Sequence, residues 1–316
     1  MPFAEPFLVG LNLPWQRYGC DLGANAWQPD GGVAQPGRTR ALDELFARLG
    51  DRGVRCLRWF LLCDGRAGLA GEDAWGAPCL DAHVRSDLDA ALALLDRHGL
   101  RAIFVLFDFH WFFPARTVGG VQLGGRGALL ADASSRSYVL DGVVTPLVAH
   151  AAGHPAVVAW DVLNEPDWTT TRMGPLRGRA PLGRDTLRGL LADLVARVRE
   201  VGHRPVTVGL ASPAGLDLVR GLGLDVYQVH WYDRFGFDGV LTQRAATLGL
   251  DAPVLLGEFP MRGSALGPGT IIDSAERLGY AGALGWSLLA DDAASGGLQG
   301  LADVAHWVGT RFPHGD

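Results

Sequence analysis

Two segments carry residues whose types could do chemistry together. The first is Ala159-Trp160-Asp161-Val162-Leu163-Asn164-Glu165-Pro166-Asp167-Trp168, and the second is Leu256-Gly257-Glu258-Phe259. In the first, an apolar run stops at an amide, a carboxylate and a proline. Proline lacks an N–H and biases the residue before it to extended geometry, so Glu165 is expected on the last residue of a strand. A lone glutamate there reads as a solvated turn residue. Two glutamates facing each other across a cleft would be different. One carboxyl with a raised pKa can protonate a glycosidic oxygen while the other attacks the anomeric carbon or activates water.

Whether the two face each other depends on the elements that carry them. Apolar runs read as strands at Phe7–Asn12, Val54–Phe60, Ala102–Phe107, from Ala156 to Glu165, Pro205–Gly209, Asp225–His230, Pro253–Glu258 and Gly282–Ser287. Helical periodicity falls between them at 39–49, 81–98, 137–151, 184–201, 214–220, 238–249, 270–279 and 299–311. In the second of these helices Leu88, Leu92 and Leu95 share a face, and Gly99 ends it. The strands are short and apolar on both faces, as in a buried parallel sheet. Eight such units predict one α/β domain over residues 1–316, a single (β/α)8 TIM barrel with long βα loops on its first half. The runner-up is an open doubly wound sheet. It would show a glycine fingerprint after the first strand, which Gly10-Leu11-Asn12-Leu13-Pro14 is not.

A barrel places its chemistry at the C-terminal strand ends. Polar and aromatic residues collect there: Asn12, Arg58, Asp108 with His110, Asn164 with Glu165, Ser212, His230 with Tyr232, Glu258 and Trp286. Each has an ordinary explanation as an ion pair, a core histidine or a packed ring. Eight together on one rim are hard to explain by packing. Strands four and seven lie across the barrel mouth, which turns Glu165 toward Glu258. Asp161 should point into the barrel beside Arg58 as an ion pair.

On these residues the chain resembles clan A glycoside hydrolases, family 5 (cellulase- and mannanase-like enzymes) most closely, over nearly the whole barrel. The resemblance implies Glu165 of Asn164-Glu165 as acid/base and Glu258 as nucleophile of a retaining β-glycosidase that needs no metal or organic cofactor. It further matches Arg58 on strand two, His110 in Asp108-Phe109-His110-Trp111, His230 and Tyr232 in His230-Trp231-Tyr232, and Trp286 as floor of the sugar site. Asn164 is then expected to donate to the sugar 2-OH. Arg58 and Tyr232 are expected to keep Glu258 ionised, and His230 to bond Glu165 or orient substrate. The loops depart from the family. The first is dense in polar and aromatic groups, and Trp15, Trp27, Trp111, Trp168 and Trp231 are candidates to line a pocket walled on one side.

Bulk properties narrow the partners. With 316 residues, half of them apolar, a net charge of −6 and no basic stripe, a carbohydrate is favoured over nucleic acid. No apolar run reaches membrane-spanning length, and the start, Met1-Pro2-Phe3-Ala4-Glu5-Pro6, has no signal-peptide pattern. The expectation is a cytoplasmic monomer or weak homo-oligomer acting on a β-glucoside- or β-mannoside-type oligosaccharide or small glycoside. Cys20, Cys56, Cys63 and Cys79 fit no zinc spacing, and a Cys63–Cys79 disulfide stays open. Two other functions compete. One is a barrel acting as a transglycosylase or non-hydrolytic sugar-binding protein, which the presence of both glutamates disfavours. The other is a metal-dependent hydrolase using His110, His230 and Asp108, which the lack of a His-x-His on strand one disfavours.

Overall fold

The structure, a computed structural model, describes residue 3 and residues 7–72, 78–170, 182–235 and 241–311. Parallel strands wind in sequence order into a barrel. They are β1 (Leu8–Asn12), β2 (Cys56–Phe60), β3 (Arg101–Asp108), β4 (Val157–Asn164), β5 (Val206–Thr207 and Gly209–Leu210), β6 (Tyr227–His230), β7 (Val254–Pro260) and β8 (Gly282–Trp286), with β8 returning to β1. The expected (β/α)8 barrel is therefore present. Strand β5 is broken at Val208. Its first half pairs with β4 and its second with β6. The break follows from a side chain, because Asp161 Oδ1 accepts the Gly209 N–H at 3.0 Å in place of a ladder carbonyl.

Helices cover the barrel. They are α1 (Pro36–Asp51), α2 (Val84–Arg97), α3 (Ala133–Val139, a π turn at Leu140–Val144, then Thr145–His150), α4 (Arg184–Gly202), α5 (Leu216–Val219), α6 (Pro268–Arg277) and α7 (Gly297–Arg311). Helix α2 buries Leu88, Leu92 and Leu95, as their spacing requires. The helix expected over 238–249 does not form in its described part. Ala245–Leu248 is instead a 3₁₀ turn with no fully buried residue, and it stops at Gly249 in the left-handed region. Residues 238–240 of that expectation, with Trp75 and most of the first six residues, lie outside the described residues. The long loops after β2 and β3 hold antiparallel hairpins, Leu69–Glu72 with Pro78–Leu80 and Arg116–Val118 with Val121–Leu123.

Inside the barrel, residue types change with height. Cys56, Ile103, Ala159, Leu255 and Leu284 form an apolar plug, closed by Phe3. One step further along the strands the interior becomes polar, with Arg58, Asp161 and Gln228 all fully buried. Glycine makes room for them: a Cβ at Gly209 would lie 2.4 Å from Gln228 Nε2 and 2.7 Å from Arg58 Nη2. Arg58 therefore sits in the barrel rather than on its rim. All four cysteines are free, so Cys63 and Cys79 are not bridged.

Candidate active site

Arg58 organises the site. Its guanidinium reaches Asp161 Oδ2 through Nε (3.0 Å) and Nη2 (2.8 Å), Asn164 Oδ1 through Nη2 (2.7 Å), and Asn12 Oδ1 (3.2 Å) and Glu258 Oε1 (2.6 Å) through Nη1. All five donors are used, which a buried guanidinium requires. The ion pair expected between Asp161 and Arg58 is present, and it does not take the arginine from Glu258. Asp161 is held in turn by the Gln228 amide at 2.7 Å. Gln228 was not evident from the sequence, where a mid-strand glutamine carries no signal.

Both glutamates are aimed by backbone irregularities. Strand β4 ends at Asn164, and Glu165 lies just beyond it at φ 47°, ψ 47°, not extended as its position before proline suggested. Its N–H donates to the Gly209 carbonyl at 2.6 Å, and its own carbonyl accepts the Trp168 N–H of the 3₁₀ turn Pro166–Thr169. Surrounding bonds thus hold a left-handed non-glycine residue, a strained conformation typical of functional sites. In β7 the pairing shifts from Val229–Leu256 to His230–Glu258, leaving Gly257 as an extra residue. Such a bulge re-aims the side chain that follows.

The two carboxyls come together over a cavity of about 320 Å³. Oxygens of Glu165 and Glu258 and a ring nitrogen of His230 lie within 4.8 Å of one another. His230 Nδ1 is 2.8 Å from Glu165 Oε1 and 3.5 Å from Glu258 Oε2. Tyr232 donates its hydroxyl to Glu258 Oε2 at 2.7 Å, and Trp168 donates its indole N–H to Glu165 Oε2 at 2.9 Å. Glu165, Glu258, Asn164, Asp108, His110 and Tyr232 all line the cavity, with Trp15, Trp168 and Trp286 as its aromatic walls.

The electrostatics separate the two acids. Burial, and then the Asp108 carboxylate, push Glu165 up to about 7, so it holds its proton near neutral pH. The negative neighbour that matters most for it is Asp108. Burial pushes Glu258 up as well, while His230, Arg58 and Tyr232 pull it down. The guanidinium at 2.6 Å favours the ionised form of Glu258 and opposes that rise. Burial lowers His230 to about 4, leaving it neutral. Burial also opposes charge on His110, but the Asp108 carboxylate against it outweighs this and raises its pKa.

No protein-family model matches the chain. It is 23% identical to a mannan endo-1,4-beta-mannosidase of Mytilus edulis, over 89% of this chain and 83% of that protein. It is 25% identical to one of Cryptopygus antarcticus, over 52% of this chain and 39% of that one. Among solved structures, the endo-1,4-beta-mannanase of Eisenia fetida superposes with a TM-score of 0.79 at 23% identity, covering 96% of this chain and 90% of that one. The chain is thus similar in sequence to mannanases and shares the barrel fold of solved mannanase structures.

Several expected contacts are placed differently. Trp111 is fully buried, its ring 4.5 Å from Phe107, and cannot touch a sugar. Trp231 is also core, and Trp27 is exposed away from the cavity. Asn12 has no exposed surface. Its amide donates to the Gly257 carbonyl at 2.9 Å and its oxygen accepts from Arg58, so it braces the bulge. Arg58 and His230 likewise act from behind the carboxylates rather than in the cavity. Ser212 is buried and caps the next turn through Ala214 N–H. Asp292, which the sequence did not single out, lines the cavity and accepts the Trp286 indole N–H at 2.8 Å. As for metals, the Glu165, His230 and Glu258 atoms are close enough to share an ion. The carboxylate lone pairs, however, already face Arg58, Tyr232 and Trp168, and a guanidinium cation borders the set. His110 is not part of that group.

Proposed function

We propose that the protein is a retaining β-glycosidase acting on β-1,4-linked mannosides. The observation that carries retention is the spacing of the glutamates. The nearest carboxylate oxygens lie within 4.8 Å, which supports the closer pair of retaining enzymes over the roughly 6.5–9.5 Å that inversion requires. The mannoside assignment draws support from the names of the relatives.

In this reading Glu165 gives its proton to the glycosidic oxygen while Glu258 attacks the anomeric carbon. The C–O bond breaks and an ester joins the sugar to Glu258. Glu165, now ionised, takes a proton from water, the water oxygen attacks the anomeric carbon, and Glu258 leaves as carboxylate. Asn164 gives one amide hydrogen to Asp108 at 2.9 Å, leaving the other for the sugar 2-OH. Trp286, fixed by Asp292, supports the ring of the reacting sugar.

The test is hydrolysis of an aryl β-mannoside followed by proton NMR of the first-formed sugar. Retention predicts the β-anomer first. Glu258→Gln and Glu165→Gln should each remove most turnover, and azide should rescue a Glu258→Gly variant as the α-mannosyl azide. Full activity in both glutamine variants, or the α-anomer appearing first, refutes the mechanism.

A further inference from the structure

A second buried carboxyl follows the proposed acid and takes no part in the mechanism above. Asp167 lies on the 3₁₀ turn Pro166–Thr169, two residues after Glu165. Its Oδ1 accepts the Ala211 N–H at 3.0 Å. Its main-chain carbonyl accepts the Thr170 N–H at 3.2 Å and the Thr170 hydroxyl at 2.9 Å. Oδ2 has no partner among the described residues. Gly215 makes the space for it, since a Cβ there would lie 2.8 Å away. A buried carboxylate oxygen with no donor is costly, whereas the neutral acid is tolerated.

The Ala211–Asp167 bond is one of two that join the Glu165 turn to β5 and its loop. The Glu165 N–H donates to the Gly209 carbonyl at 2.6 Å, and the Ala211 N–H donates back to Asp167. Residues 165–167 and 209–211 are thus stitched in both directions around the left-handed Glu165. The same turn carries Trp168, whose indole holds Glu165 Oε2, and Ala211 itself lines the catalytic cavity. A shift of the Asp167 carboxyl therefore reaches the acid and the cavity wall together.

The surroundings select the neutral form. Residues 209–215 carry no charge. The titratable and charged groups on neighbouring elements are Glu165 just before the turn, Asp108 and His110 at the end of β3 and after it, and the exposed pair of Asp217 on α5 with Arg184 on α4. Burial pushes Asp167 up to about 7, against the pull of the Ala211 N–H, and the Glu165 charge adds to the rise.

We propose that Asp167 is the positioning residue of the acid/base: as a neutral carboxylic acid it clamps the Glu165 turn to the loop after β5, and losing its proton loosens the clamp. The assignment rests on the glycosidase reading above, with Glu165 as acid/base. An ionised Oδ2 without a donor is driven toward water and away from Glu165. When Glu165 gives its proton to the leaving oxygen, the new negative charge two residues away favours the neutral form of Asp167, so the clamp holds while Glu165 acts as base. When high pH removes either proton, the acid is spent or misplaced.

Asp167→Asn tests this, because asparagine keeps the oxygen that accepts from Ala211 and cannot ionise. With both protons required, log kcat/KM of the natural enzyme on an aryl β-mannoside should fall above neutrality with a slope approaching about −2, and Asp167→Asn should hold to about −1. About one pH unit above the midpoint the variant should then keep about tenfold more of its own maximum. A natural limb of slope about −1, or an equally steep limb in Asp167→Asn, overturns the proposal. Asp167→Ala, which loses the acceptor, should have a kcat about tenfold below that of Asp167→Asn, and equal values also overturn it. If the alanine variant does not fold, the slope of Asp167→Asn decides alone. A readout without turnover separates failure of the clamp from failure of the glycosidase reading. In infrared difference spectra, the protonated Asp167 carbonyl band, identified by its absence from Asp167→Asn, should titrate lower in Glu165→Gln than in the natural protein. If no glycoside is hydrolysed yet the band moves, the link between the two carboxyls stands and the hydrolase reading falls. No such band, or a band that does not move, overturns the proposal.

Discussion

The Trp168 indole N–H donates to Glu165 Oε2 at 2.9 Å, from a 3₁₀ turn that begins directly after the carboxylate. The same ring forms part of the cavity wall. Trp168 thus positions the proposed acid and stabilises its ionised form, since a hydrogen bond to a carboxylate lowers its pKa. Trp168→Phe keeps a ring and removes the donor. Without the donor, Glu165 should titrate higher and the alkaline limb of the pH–rate profile should move up. Loss of orientation should lower kcat on the order of tenfold, the usual cost of a hydrogen bond to a charged group. A pH profile of the variant that superposes on the natural one would remove Trp168 from this role.

The natural enzyme should show a bell-shaped profile. The acid must be protonated, so activity falls as pH rises through about 7, where Glu165 titrates. The nucleophile must be ionised, so the acidic limb belongs to Glu258, which burial raises and Arg58 opposes. kcat/KM measured against pH on an aryl β-mannoside checks both limbs, and flat activity well above neutrality would reassign the proton donor.

Arg58 should tolerate no substitution. Lysine offers one compact charge where the fork serves Asp161, Asn164, Asn12 and Glu258 at once. Arg58→Lys is expected to destabilise the fold by about 3–5 kcal/mol, the cost of breaking a buried pair, and to abolish most turnover. Urea denaturation gives the first quantity and aryl glycoside kinetics the second.

Asp167 predicts a pH-dependent stability. It is buried, accepts the Ala211 N–H at 3.0 Å through one oxygen, and leaves Oδ2 without a partner. Burial pushes it up to about 7 from an unfolded value near 3.8. The folded state then binds the proton more tightly than the unfolded one. Its contribution is full below the unfolded value and is lost as pH rises through about 7. At about 1.4 kcal/mol per unit, the loss amounts to a few kcal/mol. Asp167→Asn should flatten the dependence of Tm on pH between about 4 and 7, compared with the natural protein in the same buffers. An unchanged slope would place the titration elsewhere.

The barrel and the polar residues at its strand ends were legible in the sequence from local signals, and the roles of Arg58, Asn164, Tyr232 and Trp286 came from the resemblance. Strand runs alternate with helical periods, a proline follows Glu165 just beyond the end of β4, and polar residues recur at strand ends. The helix at 238–249 was misjudged because periodicity alone cannot show that its described apolar residues, such as Ala245 and Leu248, pack only partly buried against the core. Trp111 was misjudged because a tryptophan after a strand looks the same whether its ring turns toward the cavity or under Phe107.

What only the tertiary structure decided is where side chains point and how far apart they are. Asp161 and Asn164 are three residues apart, which strict strand alternation would put on opposite faces, yet both bind Arg58. The left-handed turn at Glu165 and the bulge at Gly257 are backbone events sustained by bonds to β5 and β6. They set the short gap between the carboxyls and thereby the stereochemistry proposed for the reaction. Sequence fixes residue types along a strand. Distances across a barrel depend on register, bulges and packing among strands far apart in the chain, and these exist only once the sheet has closed.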